Sequence, residues 1–203
     1  MTKIKIIRHS ERLDYKHPFY WLICFGYHWS DSPLTKTGHE MAKTKGEMLS
    51  KIKFSPKNIY VSPYNRTMET ATEIKEYFPD SEIIIEPLLA EYQPYFKHRI
   101  TLYPEGIPTD FCGQKTEFKY PENYDEFTSR TKYIIQQLIN KNNEDIVVIT
   151  HGEILKVLIN HFQTTYPDIF LDCEKVSYLT TLSFEYDENK NILEKSISIE
   201  HIN

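Results

Sequence analysis

The sequence has no excess of basic residues and no long apolar run, and both features narrow the class of protein. Lysine and arginine total 24 and aspartate and glutamate total 29 among 203 residues, so the formal net charge is −5. Nucleic-acid binding needs a basic surface, so we expect no nucleic-acid partner, although a small basic pocket on an acidic body stays compatible. The longest mainly apolar stretch, residues 19–29, is shorter than the roughly 20 residues of a membrane-spanning helix. We therefore expect no membrane partner.

Cysteine is also scarce. The sequence has three cysteines, Cys24, Cys112 and Cys173, and they show neither CxxC nor metal-ligand spacing. This odd number and spacing predict free thiols in a reducing, cytoplasmic setting. The start of the chain lacks the charged-then-apolar pattern of a signal peptide, so we expect none. No cysteine lies in the CxxxxxR arrangement of a cysteine-based phosphatase, so we expect these residues to be ordinary core or loop residues.

Short apolar segments alternate with amphipathic ones along the chain. The pattern predicts strands at residues 3–7, 58–61, 82–85 and 145–150 and a final antiparallel hairpin at 178–186 and 192–199. Helices are expected after caps at Thr35 or Thr37, after Ser62, and near residues 124 and 154. This order predicts an α/β three-layer sandwich with a mostly parallel sheet and an antiparallel edge strand. We expect a single domain over residues 1–203, with aromatic, proline-rich insertions at about 14–33 and 92–121.

Polar residues follow the predicted strands where each strand ends. These residues are Arg8, His9 and Arg12 after the first strand, Arg66 after the second, Glu91 after the third and His151 after the fourth. Active sites of open α/β sheets lie outside the carboxyl ends of the strands, so we expect these side chains to converge, with His9 and His151 within about 10 Å. The arginine fork and the helix starts near Ser62 and Gly152 suit phosphate oxygens. The expected ligand is a phosphoryl group.

Five sequence blocks resemble the histidine phosphatase superfamily, in its phosphoglycerate-mutase-like branch. "IIRHSERLD" resembles the Arg-His-Gly signature, "DSPLTKTGHEMAKTKGEML" the segment that follows it, and "VSPYNRTMETA" the Ser-Pro-x-x-Arg-x-x-x-Thr helix start. "LLAEY" and "VVITHGE" resemble the acid-bearing loop and the second-histidine block. The blocks extend from residue 3 to about residue 160 in the family's order. One departure is Ser10, which stands where the signature usually has glycine.

Arg12 and Asp14 narrow the resemblance to the TULA-type phosphatases, the suppressors of T-cell-receptor signalling, as does "YPENYDEFTSRTK". Members of that group dephosphorylate phosphotyrosine or small phosphoesters. The resemblance therefore implies a phosphorylated small molecule or phosphoprotein as substrate, and the aromatic insertions favour an aryl phosphate. The ubiquitin-binding and SH3 domains of that group have no counterpart here, so its regulatory partners do not carry over. A homodimer stays open.

The resemblance implies a role for each site residue. His9 is the expected nucleophile, forming a phosphohistidine, with its other ring nitrogen held protonated by a backbone carbonyl. Glu91 is the expected acid and base. The residues expected to bind the phosphoryl oxygens are Arg8, Arg12, Arg66, His151 and Ser10. No metal is expected, because no third ligand accompanies His9 and His151 at suitable spacing, and no organic cofactor is expected.

Several alternatives stay open at the level of sequence. Glu86 competes with Glu91, Arg12 has an alternative role as a clamp on Asp14, and Ser62 is interpreted as a helix cap rather than a phosphate ligand. The aromatic residues from 15 to 29 are expected to pack as a small core rather than to line a pocket. Two other functions compete with hydrolysis: a phosphoglycerate mutase or bisphosphoglycerate phosphatase, and a non-catalytic phosphate-binding module.

Overall fold

A six-stranded sheet organises the protein, whose computed structural model describes residues 1–25, 31–94, 110–111, 114–171 and 176–201. In these residues the sheet strands are β1 (Thr2–Arg8), β2 (Asn58–Val61), β3 (Glu82–Ile85), β6 (Ile146–Thr150), β7 (Thr181–Tyr186) and β8 (Ser198–Glu200). Two shorter strands, β4 (Asp110–Phe111) and β5 (Gln114–Lys115), pair separately. The sheet order is β3-β2-β6-β1-β7-β8. The first four of these are joined by parallel pairs, and β7 and β8 run antiparallel to their neighbours, as predicted.

Helices cover both faces of the sheet. The helices of the described residues are α1 (Leu13–Lys16), α2 (Pro18–Phe25), α3 (Lys36–Ser50), α4 (Asn65–Lys75), α5 (Tyr124–Lys141) and α6 (Gly152–Thr165), with 3₁₀-helices at Pro87–Leu89 and Glu194–Ser196, and the last four α-helices pack on the sheet. Side chains of successive strand residues point to opposite faces. Ile6 and Val148 pack in a cluster with α5 and α6, whereas Ile7 and Val147 pack in a cluster with α3 and α4. The predicted three-layer α/β fold is therefore confirmed.

Several predicted boundaries are wrong. Thr35, not Thr37, caps α3, because its hydroxyl accepts from the Gly38 N–H. Ser62 is not a cap: α4 begins three residues later, with Tyr64 at its N-cap. The last strand is Ser198–Glu200 rather than residues 192–199, since a 3₁₀-helix occupies part of the predicted segment.

The described part of the first insertion is mainly helical, and three of its aromatic side chains do not pack in the expected small core. Trp21 is buried, but Tyr15, Phe19 and Tyr20 are exposed, Phe19 by 79%. Residues 26–30 and most of the second insertion lie outside the described residues. So do Cys112 and Cys173, and the side chain of Cys24 is likewise outside the description. No helix in the described ranges is long and apolar enough to cross a membrane.

Candidate active site

The carboxyl ends of three neighbouring strands bring the predicted residues to one edge of the sheet. Arg8 pairs in register with Thr150, and Val61 with Ile149, so β1, β2 and β6 end at the same level. The backbone N–H of His9 donates to the Thr150 carbonyl at 2.9 Å. The two histidines that follow β1 and β6 are therefore neighbours, with ring centroids 5.4 Å apart. This confirms the predicted proximity of His9 and His151.

His9 is held in the tautomer that leaves one ring nitrogen free to attack. Its Nδ1 lies 2.8 Å from the Ser10 carbonyl oxygen, which can only accept, so Nδ1 carries the proton. Nε2 is consequently the unprotonated nitrogen. The ring is buried, and its pKa lies well below the ordinary value because of burial and the nearby cations Arg66 and Arg8. A neutral imidazole with a free Nε2 is the form that can act as a nucleophile.

Arg66 lies in the first turn of α4 and is buried between the acid and the second histidine. Its Nη2 donates to Nδ1 of His151 at 3.2 Å and lies 3.9 Å from Oε2 of Glu91. The ring of Tyr64 stacks on the guanidinium at 4.2 Å. Thr70 braces this turn, because its hydroxyl donates to the Arg66 carbonyl and accepts from the Ser10 N–H. The start of α4 and the loop after β1 are thus joined directly.

His151 is neutral among these neighbours. Because Nδ1 accepts from Arg66, Nε2 carries the proton and donates to the Ser62 hydroxyl at 2.7 Å. Burial, followed by the charge of Arg66, holds its pKa well below the ordinary value. The imidazolium form expected beside a phosphate therefore requires an added negative charge, such as that of a phosphoryl group.

Glu91 is the carboxyl group that contacts the second histidine. Its Oε2 lies 3.4 Å from Nδ1 of His151. Burial raises its pKa, against the opposing effect of Arg66 and Arg12, and a raised pKa favours the protonated form that a general acid needs. The competing residue, Glu86, is fully buried, and its side chain accepts from the Leu88 N–H at the start of the first 3₁₀-helix.

Two further arginines lie at the site: Arg8 at the end of β1 and Arg12 in the loop that follows it. Arg8 Nη1 donates to the Val176 carbonyl, and the ring of Tyr178 lies 4.6 Å from the guanidinium. Arg12 donates from Nε and Nη2 to both carboxylate oxygens of Asp14, at 2.7 and 2.6 Å. The clamp interpretation of Arg12 is therefore confirmed. Its charge still lowers the pKa of His9 and His151, so it also contributes to the positive field of the site.

Two predicted roles need correction. The Ser10 hydroxyl donates to the Gly38 carbonyl at 2.7 Å, and its N–H donates to Thr70, so both donors fasten the loop to α3 and α4 instead of facing a phosphate. The Ser62 hydroxyl contacts His151, which makes Ser62 a positioning residue for that ring. Local spacing does not reveal either orientation, because both depend on how the helices cross above the strand ends.

Sequence reasoning missed Tyr178. The residue lies in the turn before β7, its ring covers Arg8 at 4.6 Å, and its centroid is 5.9 Å from that of His9. The two-residue alternation had placed it inside a strand, which gave no signal of a site residue. No group of three or more metal-ligating side chains occurs in the part of the chain that the structure describes.

The fold and this cluster define a class of protein. It is an α/β protein in which the carboxyl ends of the strands bring together two neutral histidines, several arginines and one carboxyl group. Residues 6–197 match the family model of the histidine phosphatase superfamily (branch 1), so the chain belongs to that superfamily.

Known relatives agree with this assignment. The chain is 60% identical, over the full length of both proteins, to an uncharacterized phosphoglycerate mutase family protein of Acanthamoeba polyphaga mimivirus. It is 27% identical to the ecdysteroid-phosphate phosphatase of Drosophila melanogaster over 76% of this chain, but spans only 25% of that longer protein. The crystal structure of the ecdysone phosphate phosphatase from Bombyx mori, in complex with tungstate, covers 100% of this chain and 95% of its own, with TM-score 0.70 and 22% identity.

Proposed function

We propose that the protein is a phosphomonoester hydrolase that acts through a phosphohistidine on His9. The observation that carries this proposal is the hydrogen bond from Nδ1 to the Ser10 carbonyl, which leaves Nε2 of a neutral imidazole free beside His151. Arg8, Arg66 and His151 supply donors to the phosphoryl oxygens as negative charge develops. The superfamily includes phosphatases and mutases, and hydrolysis is the activity that we infer for this chain.

The proposed reaction has two steps. Nε2 of His9 attacks phosphorus, the N–P bond forms, the ester P–O bond breaks, and Glu91 gives its proton to the leaving oxygen. Water then attacks the phosphohistidine, Glu91 takes a proton from it, the new P–O bond forms, and the N–P bond breaks to release phosphate. The raised pKa of Glu91 supports its first role, since the carboxyl must hold a proton before the attack.

We further propose that aryl phosphates are preferred over compact polyanions. The Tyr15 ring stacks on the Arg12 guanidinium at 4.2 Å and is itself 68% exposed, and Phe19 and Tyr20 are also exposed on α2. Flat apolar surface of this kind favours a substrate with a ring-bearing leaving group. The Arg12–Asp14 pair, which belongs to the TULA-type pattern, is the observation that supports our proposal of a TULA-type phosphatase. A phosphoprotein is the corresponding macromolecular substrate, and a cytoplasmic location is part of the same proposal.

A substrate panel tests this function. It should contain p-nitrophenyl phosphate, a phosphotyrosine peptide, an ecdysteroid phosphate, 3-phosphoglycerate and 2,3-bisphosphoglycerate. We expect kcat/KM for the aryl phosphates to exceed that for the phosphoglycerates by at least about tenfold. Comparable or better turnover of the phosphoglycerates would favour the mutase or bisphosphoglycerate phosphatase alternative. Binding of phosphate without turnover of any member would favour the non-catalytic module.

A further inference from the structure

The turn before β7 is fastened to the end of β1. The Leu179 N–H donates to the Arg8 carbonyl at 3.2 Å, and the Arg8 N–H donates to the Thr180 carbonyl at 3.0 Å. The turn thus pairs with the backbone of the residue that immediately precedes His9. This pairing places the Tyr178 ring centroid 5.9 Å from that of the nucleophile.

Leu179 adopts an unusual backbone conformation within this turn. Its φ is 57°, in the left-handed region that branched, non-glycine residues rarely adopt. The side chain is fully buried in the core cluster shared by β1, β6 and α4, which holds the residue in place. The chain therefore tolerates a strained residue here, and the preceding residue, Tyr178, packs over the site. Strain of this kind is characteristic of functional sites.

The guanidinium of Arg8 has neighbours on several sides. The residues in and just before the turn, Val176 and Tyr178, provide two of these contacts. The Val176 carbonyl accepts from Nη1, and the Tyr178 ring lies 4.6 Å from the guanidinium carbon. On another side lies Gly152, where an added Cβ would be 3.4 Å from Nε. Nε itself is buried and has no hydrogen-bond partner among the described residues. An oriented arginine with a buried, unused donor is suited to an anion that arrives at His9.

We propose that Tyr178 is a positioning residue that holds the Arg8 guanidinium in the orientation required to bind the phosphoryl group attacked by His9. This inference rests on the proposed function. Stacking on the aromatic face restricts rotation of the guanidinium and leaves its edge free to donate.

A double-mutant cycle tests this role without requiring turnover. Tungstate affinity is measured by calorimetry for wild type, Tyr178→Leu, Arg8→Ala and the double variant. We expect Tyr178→Leu to weaken tungstate binding about tenfold in the wild-type background but less than about twofold in the Arg8→Ala background. Tyr178→Phe retains the stacking ring and should stay within about threefold of wild type. If Arg8→Ala does not fold, Arg8→Gln provides the second background.

Kinetics add a second readout. Because Arg8 contacts the phosphoryl group and not the leaving group, Tyr178→Leu should lower kcat/KM by the same factor for aryl and alkyl phosphates. The control is Tyr133→Leu on α5, which contacts Phe118 and should leave affinity and kinetics unchanged. The proposal would be overturned if Tyr178→Leu weakened tungstate binding equally in both backgrounds, or did not weaken it at all. It would also be overturned if the loss of kcat/KM were confined to aryl substrates. If the wild-type protein hydrolyses nothing, the proposed function fails, while the tungstate cycle still tests the role of Tyr178.

Discussion

At the scale of single residues, the protonation states of two buried histidines and one partly buried carboxyl group, that of Glu91, define what the site can do. Burial and the neighbouring arginines lower the pKa values of His9 and His151, and burial raises that of Glu91. Near neutral pH the histidines are therefore uncharged, and Glu91 holds its proton to higher pH than an ordinary carboxyl group. Opposite shifts of this kind separate a nucleophile from an acid within one small cluster.

The pH dependence of kcat/KM follows from the directions of these pKa shifts. For p-nitrophenyl phosphate, once the rate is corrected for the substrate's own second ionisation, activity should persist as pH falls through about 6.5 and decline only well below it, because His9 stays neutral. For an alkyl phosphate, activity should also decline as pH rises through the raised pKa of Glu91, because a poor leaving group needs its proton. Loss of p-nitrophenyl phosphate hydrolysis already at pH 6.5 would contradict a neutral His9.

The sequence predicts which residue types meet, but not where each donor points. His9, Arg66, Glu91 and His151 follow strands that are recognisable from their apolar patterns, and parallel strand ends meet at one edge. Ser10 differs because its hydroxyl bonds to the Gly38 carbonyl of α3, and no local pattern encodes that contact. The sequence also did not identify Tyr178 as a site residue, because its position depends on the pairing of its turn with Arg8, which no local pattern encodes.

At the scale of elements, the segment that carries Glu91 is anchored to α5 by a buried ion pair. Arg130 donates through Nε and Nη2 to the Glu122 carboxylate and through Nη1 to the Leu88 and Ala90 carbonyls. Both charged side chains are buried. The first 3₁₀-helix and the residue before Glu91 are thereby attached to α5, so this pair determines where the acid lies.

Glu122→Gln should therefore affect both stability and catalysis. Neutralising one partner leaves the Arg130 charge buried, which should lower the free energy of unfolding by about 3 kcal/mol. Activity toward alkyl phosphates should fall more than activity toward p-nitrophenyl phosphate, because the displaced Glu91 matters most for a poor leaving group. The measurements are urea unfolding and kcat/KM for both substrates.

The matched control is Glu47→Gln on α3, which neutralises one partner of an exposed ion pair with Lys51 at the end of that helix. Exposed pairs of this kind contribute about 0–1 kcal/mol, so its stability and activity should stay close to wild type. Equal effects of the two substitutions would show that the Glu122–Arg130 pair does not anchor the acid-bearing segment.

Sequence patterns predict strands better than surface helices in this chain. β2 and β3 have the predicted bounds because turn residues flank short apolar runs. The aromatic residues of the first insertion are predicted to pack as a small core, yet the insertion contains α1 and α2 with Phe19 and Tyr20 exposed. Aromatic content alone does not determine burial, since an aromatic side chain can equally remain at the surface as part of a binding site.

At the scale of the whole molecule, an acidic chain concentrates positive charge at one edge of its sheet. The net charge is −5, while Arg8, Arg12 and Arg66 lie together beside the two histidines. Such an arrangement attracts a phosphoryl anion to one location. The remaining architecture, with helices on both faces of a mostly parallel sheet, holds the strand ends at a common level so that these residues meet.

Chemical trapping of the phosphoenzyme tests the central claim, that His9 is the nucleophile, most directly. The substrate is p-nitrophenyl phosphate with a labelled phosphoryl group, and the reaction is quenched rapidly. The account predicts an acid-labile, alkali-stable phosphate on His9 that is retained in the His161→Asn control. Glu91→Gln should increase it, because this leaving group departs without the Glu91 proton while hydrolysis of the phosphohistidine is slowed. His9→Ala should carry no label and lose activity on the order of 10³-fold or more. Phosphate trapped on another residue, or full turnover by His9→Ala, would contradict the account.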